Sequence, residues 1–210
     1  MAEQAPTSAS PGEAADRRGN IRLTTVLQIA KIITRRHEEL CILRDISPNG
    51  VKAEIYHPVA IGESVTVEFR TGHAASGAVV WAHGAFIGVA FADMVSVEGV
   101  LSRSRFADGL GRIRPSRITV DLRGRLRSGE DDVDIQVVDI SLSGAKVLVD
   151  MAFRPDMTCD LWLPSLDRKR ALVRWSRAGT AGLMFAAPIP FRDFASWRRL
   201  LVTDIETQPR

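Results

Sequence analysis

The chain has 210 residues, of which 45% are hydrophobic and 25% charged, and its formal net charge is +3 at pH 7. This length suits one large domain or two small ones of about 90 residues each. No apolar run approaches the roughly 18 residues of a membrane-spanning helix, and a net charge of +3 gives little support to nucleic-acid binding.

Residues 1–15 are small and polar, with neither the basic n-region nor the apolar h-region of a signal peptide. We interpret them as a disordered leader and expect a cytoplasmic protein. The two cysteines, Cys41 and Cys159, lie singly in apolar stretches, so we predict buried thiols rather than a disulfide or a redox pair.

Arginines cluster directly after the leader. The segment Asp16–Arg22 reads DRRGNIR, and its Arg18 and Arg22 lie four residues apart with Arg17 beside them. A guanidinium can bind phosphate oxygens, or the O6/N7 edge of guanine, through two hydrogen bonds at once. The segment is therefore a candidate ligand-binding arm, and a solvated basic tail is the alternative.

The sequence that follows has the pattern of short β-strands. Apolar residues alternate with polar ones, and turn residues recur about every ten positions, as in small barrels and sandwiches. The alternating apolar positions are Val51, Ala53 and Ile55, then Val65, Val67 and Phe69, then Ile87, Val89 and Phe91.

The stretch DISPNG, Asp45–Gly50, combines a strand end with a turn. Asp45 and Ser47 are two apart and so face the same side of a strand, and Gly50 permits the backbone turn that follows. Two interpretations are open: a ligand-contacting surface, or a plain hairpin whose Asp and Ser cap backbone amides.

The chain contains an internal repeat. DISPNGVKAEI from Asp45 returns as DISLSGAKVLV from Asp139, an offset of 94 residues. Three further landmarks keep this offset, which indicates a tandem duplication. They are Trp81 and Trp175, Gly88 and Gly182, and Phe91 and Phe185.

Each copy ends in a predicted helix. Apolar residues recur there at helical spacing and indicate a face packed on the preceding strands. They are Met94, Val97, Val100 and Leu101 in the first copy, and Phe191, Phe194, Trp197 and Leu201 in the second.

Arg18-x-x-x-Arg22 followed by Asp45-x-Ser47-x-x-Gly50, in a duplicated β-rich frame, resembles the PilZ domain, a bacterial receptor module for cyclic di-GMP. The resemblance implies a mainly β fold of two tandem six-stranded antiparallel barrels, each followed by a helix. The implied domains are 16–106 and 112–204, joined by a hinge at 107–111 and followed by a tail at 205–210.

The resemblance also implies roles for the first copy's residues. Arg18 and Arg22 would hold the phosphates and one guanine of cyclic di-GMP. Asp45 and Ser47 would contact the other guanine or brace the arginines, and Gly50 would keep the barrel surface open. Arg17, just before the motif, would favour a stacked pair of ligand molecules.

The second copy keeps Asp139, Ser141 and Gly144 but alters the arginines. Matching Arg117 to Arg22 requires a register shift of one residue, and no pair among Arg112, Arg114 and Arg117 has a spacing of four. We therefore expect a weak or degenerate second site.

No catalytic motif is present in the sequence, and the four histidines lack metal-ligand spacing. We thus expect a receptor without catalysis, cofactor or metal, which passes its signal to a protein target not identified by the sequence. One alternative is a ligand-free adaptor that binds proteins through both barrels. Another is an arginine-rich nucleic-acid binder, for which a single tyrosine, Tyr56, gives thin support.

Overall fold

A computed structural model describes residues 24–101 and 115–207 of the chain. The first copy forms six antiparallel strands that close into a barrel in the order β1-β2-β3-β6-β5-β4. The strands are β1 Thr24–Ile33, β2 Glu38–Ser47, β3 Gly50–Glu54, β4 Ser64–Glu68, β5 Ala74–His83 and β6 Phe86–Phe91.

The second copy closes into a barrel of the same topology, β10-β11-β12-β9-β8-β7. Its strands are β7 Ile118–Ser128, β8 Asp131–Ser141, β9 Gly144–Leu148, β10 Thr158–Leu163, β11 Leu166–Arg177 and β12 Thr180–Phe185. The helices are α1 Val97–Leu101 and α2 Phe191–Thr207. The predicted fold of two six-stranded barrels, each followed by a helix, is confirmed.

The barrel interiors follow from the period-two pattern. On β3, Val51 and Ala53 are buried while Lys52 between them is partly exposed. Val65 and Val67 of β4 and Ile87 and Val89 of β6 are also buried, so the alternation correctly marked the inward face. Cys41 and Cys159 are buried free thiols, as predicted.

A β-bulge interrupts the alternation on the second strand of each barrel. The pairing register shifts between Leu43 and Asp45 on β2, and between Val137 and Asp139 on β8. The extra residue lets Leu43 and Ile46, three positions apart, both face the core. The bulge therefore places Asp45, which is partly exposed, on the outer wall.

Strand pairing fixes the offset at which the two barrels begin. Thr24 pairs with Ile46 in the first barrel and Ile118 pairs with Ile140 in the second, so the first strands begin at the constant offset of 94. At this offset Arg117 corresponds to position 23, one residue after Arg22, which lies outside the described residues.

The two helices differ in length and packing. α1 begins at Val97, so Met94 lies outside it and is 76% exposed, contrary to the predicted apolar stripe. In α2, by contrast, Phe194, Trp197 and Leu201 are buried as predicted. Nε1 of Trp197 donates a hydrogen bond of 2.8 Å to the carbonyl oxygen of Pro164, which holds α2 against its barrel.

The barrels contact each other through the outer wall of β1 and β2. Leu40 of β2 is 4% exposed and belongs to the apolar cluster of the second barrel, against which Ile29 also packs. The ring of Tyr56 lies 5.2 Å from that of Phe191 on α2. The backbone N–H of Thr119 donates to Glu38 at 2.9 Å.

The predicted leader at 1–15 and the hinge at 107–111 lie outside the described residues, as do the arginines before each barrel with the exception of Arg117. α2 continues through Thr207 and so extends into the predicted tail. Within 24–101 and 115–207, no helix has the length and apolarity needed to cross a membrane.

Candidate ligand site on the barrel walls

The Asp-x-Ser-x-x-Gly stretch forms the hairpin between the second and third strands of each barrel. Ser47 and Ser141 donate hydrogen bonds of 3.2 Å and 3.1 Å to the carbonyl oxygens of Gly50 and Gly144. Both serines are buried, at 7% and 0% exposure. The serine hydroxyls therefore brace the hairpin rather than project into solvent.

The glycine of each hairpin is required by close packing of backbones. A Cβ atom on Gly50 would lie 2.4 Å from the carbonyl oxygen of Val89, and one on Gly144 would lie 2.2 Å from that of Leu183. Non-bonded atoms cannot approach so closely, so any side chain here would push the hairpin away from the neighbouring strand.

The motif aspartates lie on the outer wall and have different partners in the two barrels. Asp45 accepts a hydrogen bond of 3.2 Å from the hydroxyl of Thr25. Asp139 accepts one of 2.6 Å from the guanidinium of Arg117, which enters from just before β7. The second barrel thus joins a motif aspartate to an arginine of the segment that precedes it.

Each aspartate belongs to a row of residues that pair directly across five strands. At about 4.8 Å between strands, the row spans about 19 Å of the outer wall. The same residue types recur in the same order, each at the offset of 94. The rows are Thr25–Asp45–Lys52–Gly88–Trp81 and Thr119–Asp139–Lys146–Gly182–Trp175.

The tryptophan at the end of each row lies over the glycine beside it. A Cβ atom on Gly88 would lie 2.0 Å from Nε1 of Trp81, and one on Gly182 would lie 2.3 Å from Nε1 of Trp175. Trp81 remains 40% exposed. The row therefore presents a carboxylate, an ammonium and an indole to one side.

A comparison with known protein families identifies both halves of the chain. The PilZ domain family matches residues 16–104 and, a second time, residues 112–202. The chain belongs to the PilZ family. It carries two tandem copies of the domain, and each copy contains one of the two barrels described above.

Solved structures of similar architecture include PlzA of Borreliella burgdorferi in complex with c-di-GMP, at 11% identity and a TM-score of 0.36, covering 88% of this chain and 94% of that one. The Bacillus subtilis inhibitor of motility (MotI/DgrA) is 13% identical with a TM-score of 0.36, and the match covers 89% of this chain and 100% of that one. YcgR of Escherichia coli in complex with c-di-GMP is 13% identical with a TM-score of 0.31, and the match covers 86% of this chain and 85% of that one. No curated protein matches the chain significantly.

A cleft of about 1110 Å³ borders the row of the second PilZ domain. Four cationic side chains of the second domain line it: Arg117, Lys146, Arg174 and Arg177. The guanidinium of Arg177 lies 5.4 Å from the ring of Trp175. Lys31 and Arg70 of the first PilZ domain line the opposite side, so the cleft lies between the domains.

At the positions of Arg117, Arg174 and Arg177 the first PilZ domain has no lysine or arginine, and at the offset of 94 Arg117 corresponds to Leu23. At the offset of 94, Arg174 and Arg177 correspond to Val80 and His83. Cations for a ligand on this wall would instead come from Lys52 and from the preceding arginine segment. Arg17, Arg18 and Arg22 of that segment, like Arg112 and Arg114 of the second, lie outside the described residues.

Sequence reasoning missed Lys52 and Lys146 and treated the tryptophans only as repeat landmarks. A signal was present, because the chain has only four lysines among 28 basic residues and two of them share one repeat position. Pairing of β2 with β3 places Lys52 beside Asp45, and pairing across β6 and β5 brings Trp81 into the same row.

Proposed function

We propose that the chain is a receptor for cyclic di-GMP whose main site is on the wall of the first PilZ domain. The observation that carries this proposal is the row that recurs in both domains, in which an aspartate, a lysine and a tryptophan face the same side. Family membership supports the choice of ligand.

The chemistry of the row suits a cyclic dinucleotide, which has two phosphate anions and two guanine bases. Lys52 supplies a positive charge for phosphate, and the carboxylate of Asp45 accepts hydrogen bonds of the kind that a guanine N–H offers. The exposed indole of Trp81 offers a stacking surface, which is worth about 1–3 kcal/mol per base.

The arginine segment completes the proposed site. Arg18 and Arg22 would fold over the wall and bind phosphate oxygens and a guanine edge, with Ser47 and Gly50 fixing the hairpin beneath them. Arg17 would favour a stacked pair of ligand molecules. The bond between Arg117 and Asp139 supports this arrangement, since it shows an arginine from just before a barrel within reach of the motif aspartate.

The cleft beside the second domain favours a second, weaker site for the same ligand. It offers four cations and an indole, although Arg117 and Arg174 are already hydrogen-bonded to Asp139 and Asp156. A ligand there would have to compete with these acidic partners. Arg112, Arg114, Ser141 and Gly144 complete the candidate residues of this site.

Calorimetric titration of cyclic di-GMP into the full chain tests the proposal. Arg22→Ala should weaken binding tenfold to a hundredfold, because a charge-assisted hydrogen bond contributes about 1.5–3 kcal/mol. Arg117→Ala should weaken it much less, and the stoichiometry of the wild type counts the sites. Equal losses for the two variants would overturn the ranking of the sites.

A matched control separates ligand contact from loss of charge. Arg125→Ala removes a 63% exposed arginine of β7 that pairs with Asp132, away from both rows, and it should leave binding unchanged. Absence of any binding heat in the wild type would favour the protein-binding adaptor. Binding that unrelated DNA competes away, and that weakens steeply with salt, would favour the nucleic-acid binder.

A further inference from the structure

A buried polar cluster occupies one end of the first barrel. Glu39 on β2 pairs with Ile32, which is fully buried, so its carboxylate faces the barrel interior at only 2% exposure. His37 lies in the turn before β2, and His57 lies in the loop after β3. One donor atom from each of these three side chains lies within 4.8 Å of the other two.

Hydrogen bonds satisfy only part of this cluster. Nδ1 of His57 lies 2.8 Å from Oε2 of Glu39, an arrangement that fixes the orientation of the imidazole. Oε1 of Glu39 and Nε2 of both histidines are buried and have no hydrogen-bond partner among the described residues. Buried polar atoms without partners are unfavourable, and three of them converge here.

The second barrel shows that the fold does not require Glu39 and His57 at this end. Leu126 pairs with Val133 as Ile32 pairs with Glu39, so Val133 is the counterpart of Glu39. At the same offset of 94, Met151 is the counterpart of His57. Val133 and Met151 are apolar and pack against their barrel's core. The polar cluster therefore has a role beyond completing a PilZ barrel.

We propose that His37, Glu39 and His57 form a Zn²⁺ site. Two imidazole nitrogens and a carboxylate oxygen are ligands that this ion prefers, and a water molecule would complete the four-coordinate shell. The ion would accept the lone pairs that have no other partner. It would also tie the β1–β2 turn to the loop after β3.

Arg198 of α2 is compatible with a bound cation. Burial lowers the pKa of Arg198, whereas the carboxylates of Glu38 and Glu39 raise it, so both acids lie near the guanidinium. Glu38 is not one of the proposed ligands, so its carboxylate would still lie near Arg198 when Glu39 binds the metal. The site would thus lie where α2 of the second domain approaches the first barrel.

Titration of ZnCl₂ alone into the chelator-treated full chain tests this proposal by calorimetry and thermal melting. We expect one high-affinity ion per chain and a higher Tm with Zn²⁺, because an ion that binds the native state stabilises that state. Glu39→Gln should weaken binding by about tenfold or more. Since no dinucleotide is used, the result is independent of the proposed receptor function.

Two further variants make the test specific. The double variant Glu39→Val/His57→Met installs the residues that the second barrel already has, and it should fold but lose Zn²⁺ binding. His83→Gln changes an exposed histidine and should leave binding intact. Equal Zn²⁺ affinity in the wild type and Glu39→Gln, or no rise in the wild-type Tm, would overturn the proposal even if the double variant failed to fold.

Discussion

At the scale of single residues, Asp45 differs from the other residues of its motif in what its side chain contacts. Its carboxylate is on the outer wall, and the hydroxyl of Thr25 is its one side-chain partner among the described residues. Ser47 and Gly50 instead hold the hairpin through a buried hydrogen bond and a close backbone contact. The structural interpretation of the motif therefore suits Ser47 and Gly50 better than it suits Asp45.

Asp45→Ala should weaken cyclic di-GMP binding by about tenfold or more, since one charged hydrogen-bonding group contributes about 1.5–3 kcal/mol. The Tm of the variant should change little, because Asp45 lies outside the core. Calorimetry and thermal melting of the same preparation check the two expectations. A variant that unfolds would assign Asp45 to the hairpin instead.

The cysteines should be inert in the folded chain. Burial raises the pKa of the Cys159 thiol to about 11, and Asp160 adds to the shift. Burial also raises the pKa of Cys41, and Glu39 adds to that shift. Because the thiolate is the reactive form, both should react with a thiol reagent at pH 8 far more slowly than after unfolding. Rapid reaction of the native chain would contradict this expectation.

At the scale of the strands, the bulges and the cross-strand pairs set what the outer wall presents. On β5 the register shifts between Val79 and Trp81, which places the indole over Gly88 of β6. Because glycine has no side chain, it leaves the space that the indole occupies. This explains why the tryptophan and the glycine recur together in both halves of the chain.

Gly88→Ala should displace the Trp81 indole, because the new methyl group would lie 2.0 Å from its Nε1 atom. The ring is 40% exposed and can swing into solvent, so the stability should fall by only about 1 kcal/mol. Cyclic di-GMP affinity should fall with loss of the stacking surface. Gly62→Ala, where nothing lies within 4 Å of the new atom but φ is +87°, controls for backbone strain.

At the scale of the whole molecule, the two barrels share an apolar contact. Leu40 is on a strand of the first barrel, but it is buried in the cluster of the second. The cleft bordered by Arg117 and Lys146 lies beside the same pair of barrels, facing Lys31 and Arg70. A ligand in that cleft would touch both domains, which offers a route by which binding could change their packing.

Leu40→Ala should uncouple the barrels while leaving each one folded. Truncating a buried leucine costs about 2–5 kcal/mol, and here most of that loss would fall on the contact between domains. We expect a single calorimetric unfolding transition in the wild type to become two in the variant. Leu27→Ala, on the same wall but 79% exposed, should retain the wild-type transition.

The strand pattern and the duplication were readable from the sequence because both are local regularities. Val51 and Ala53 alternate with polar neighbours, and Asp45 and Asp139 open matching stretches, so the β class and the two halves needed no tertiary information. The α2 stripe was likewise predicted correctly. Met94 was not, because helical spacing of apolar residues does not reveal where a five-residue helix begins.

Tertiary structure alone decided which distant residues meet. Strand pairing brings Lys52 and Trp81 into line with Asp45, and the fold gathers His37, Glu39 and His57 at one end of the barrel. No spacing along the chain encodes these groupings, because they depend on strand order and on bulges that shift the pairing register. The sequence by itself thus determined two PilZ barrels and the identity of their motif residues, while strand pairing determined the surface that those residues form.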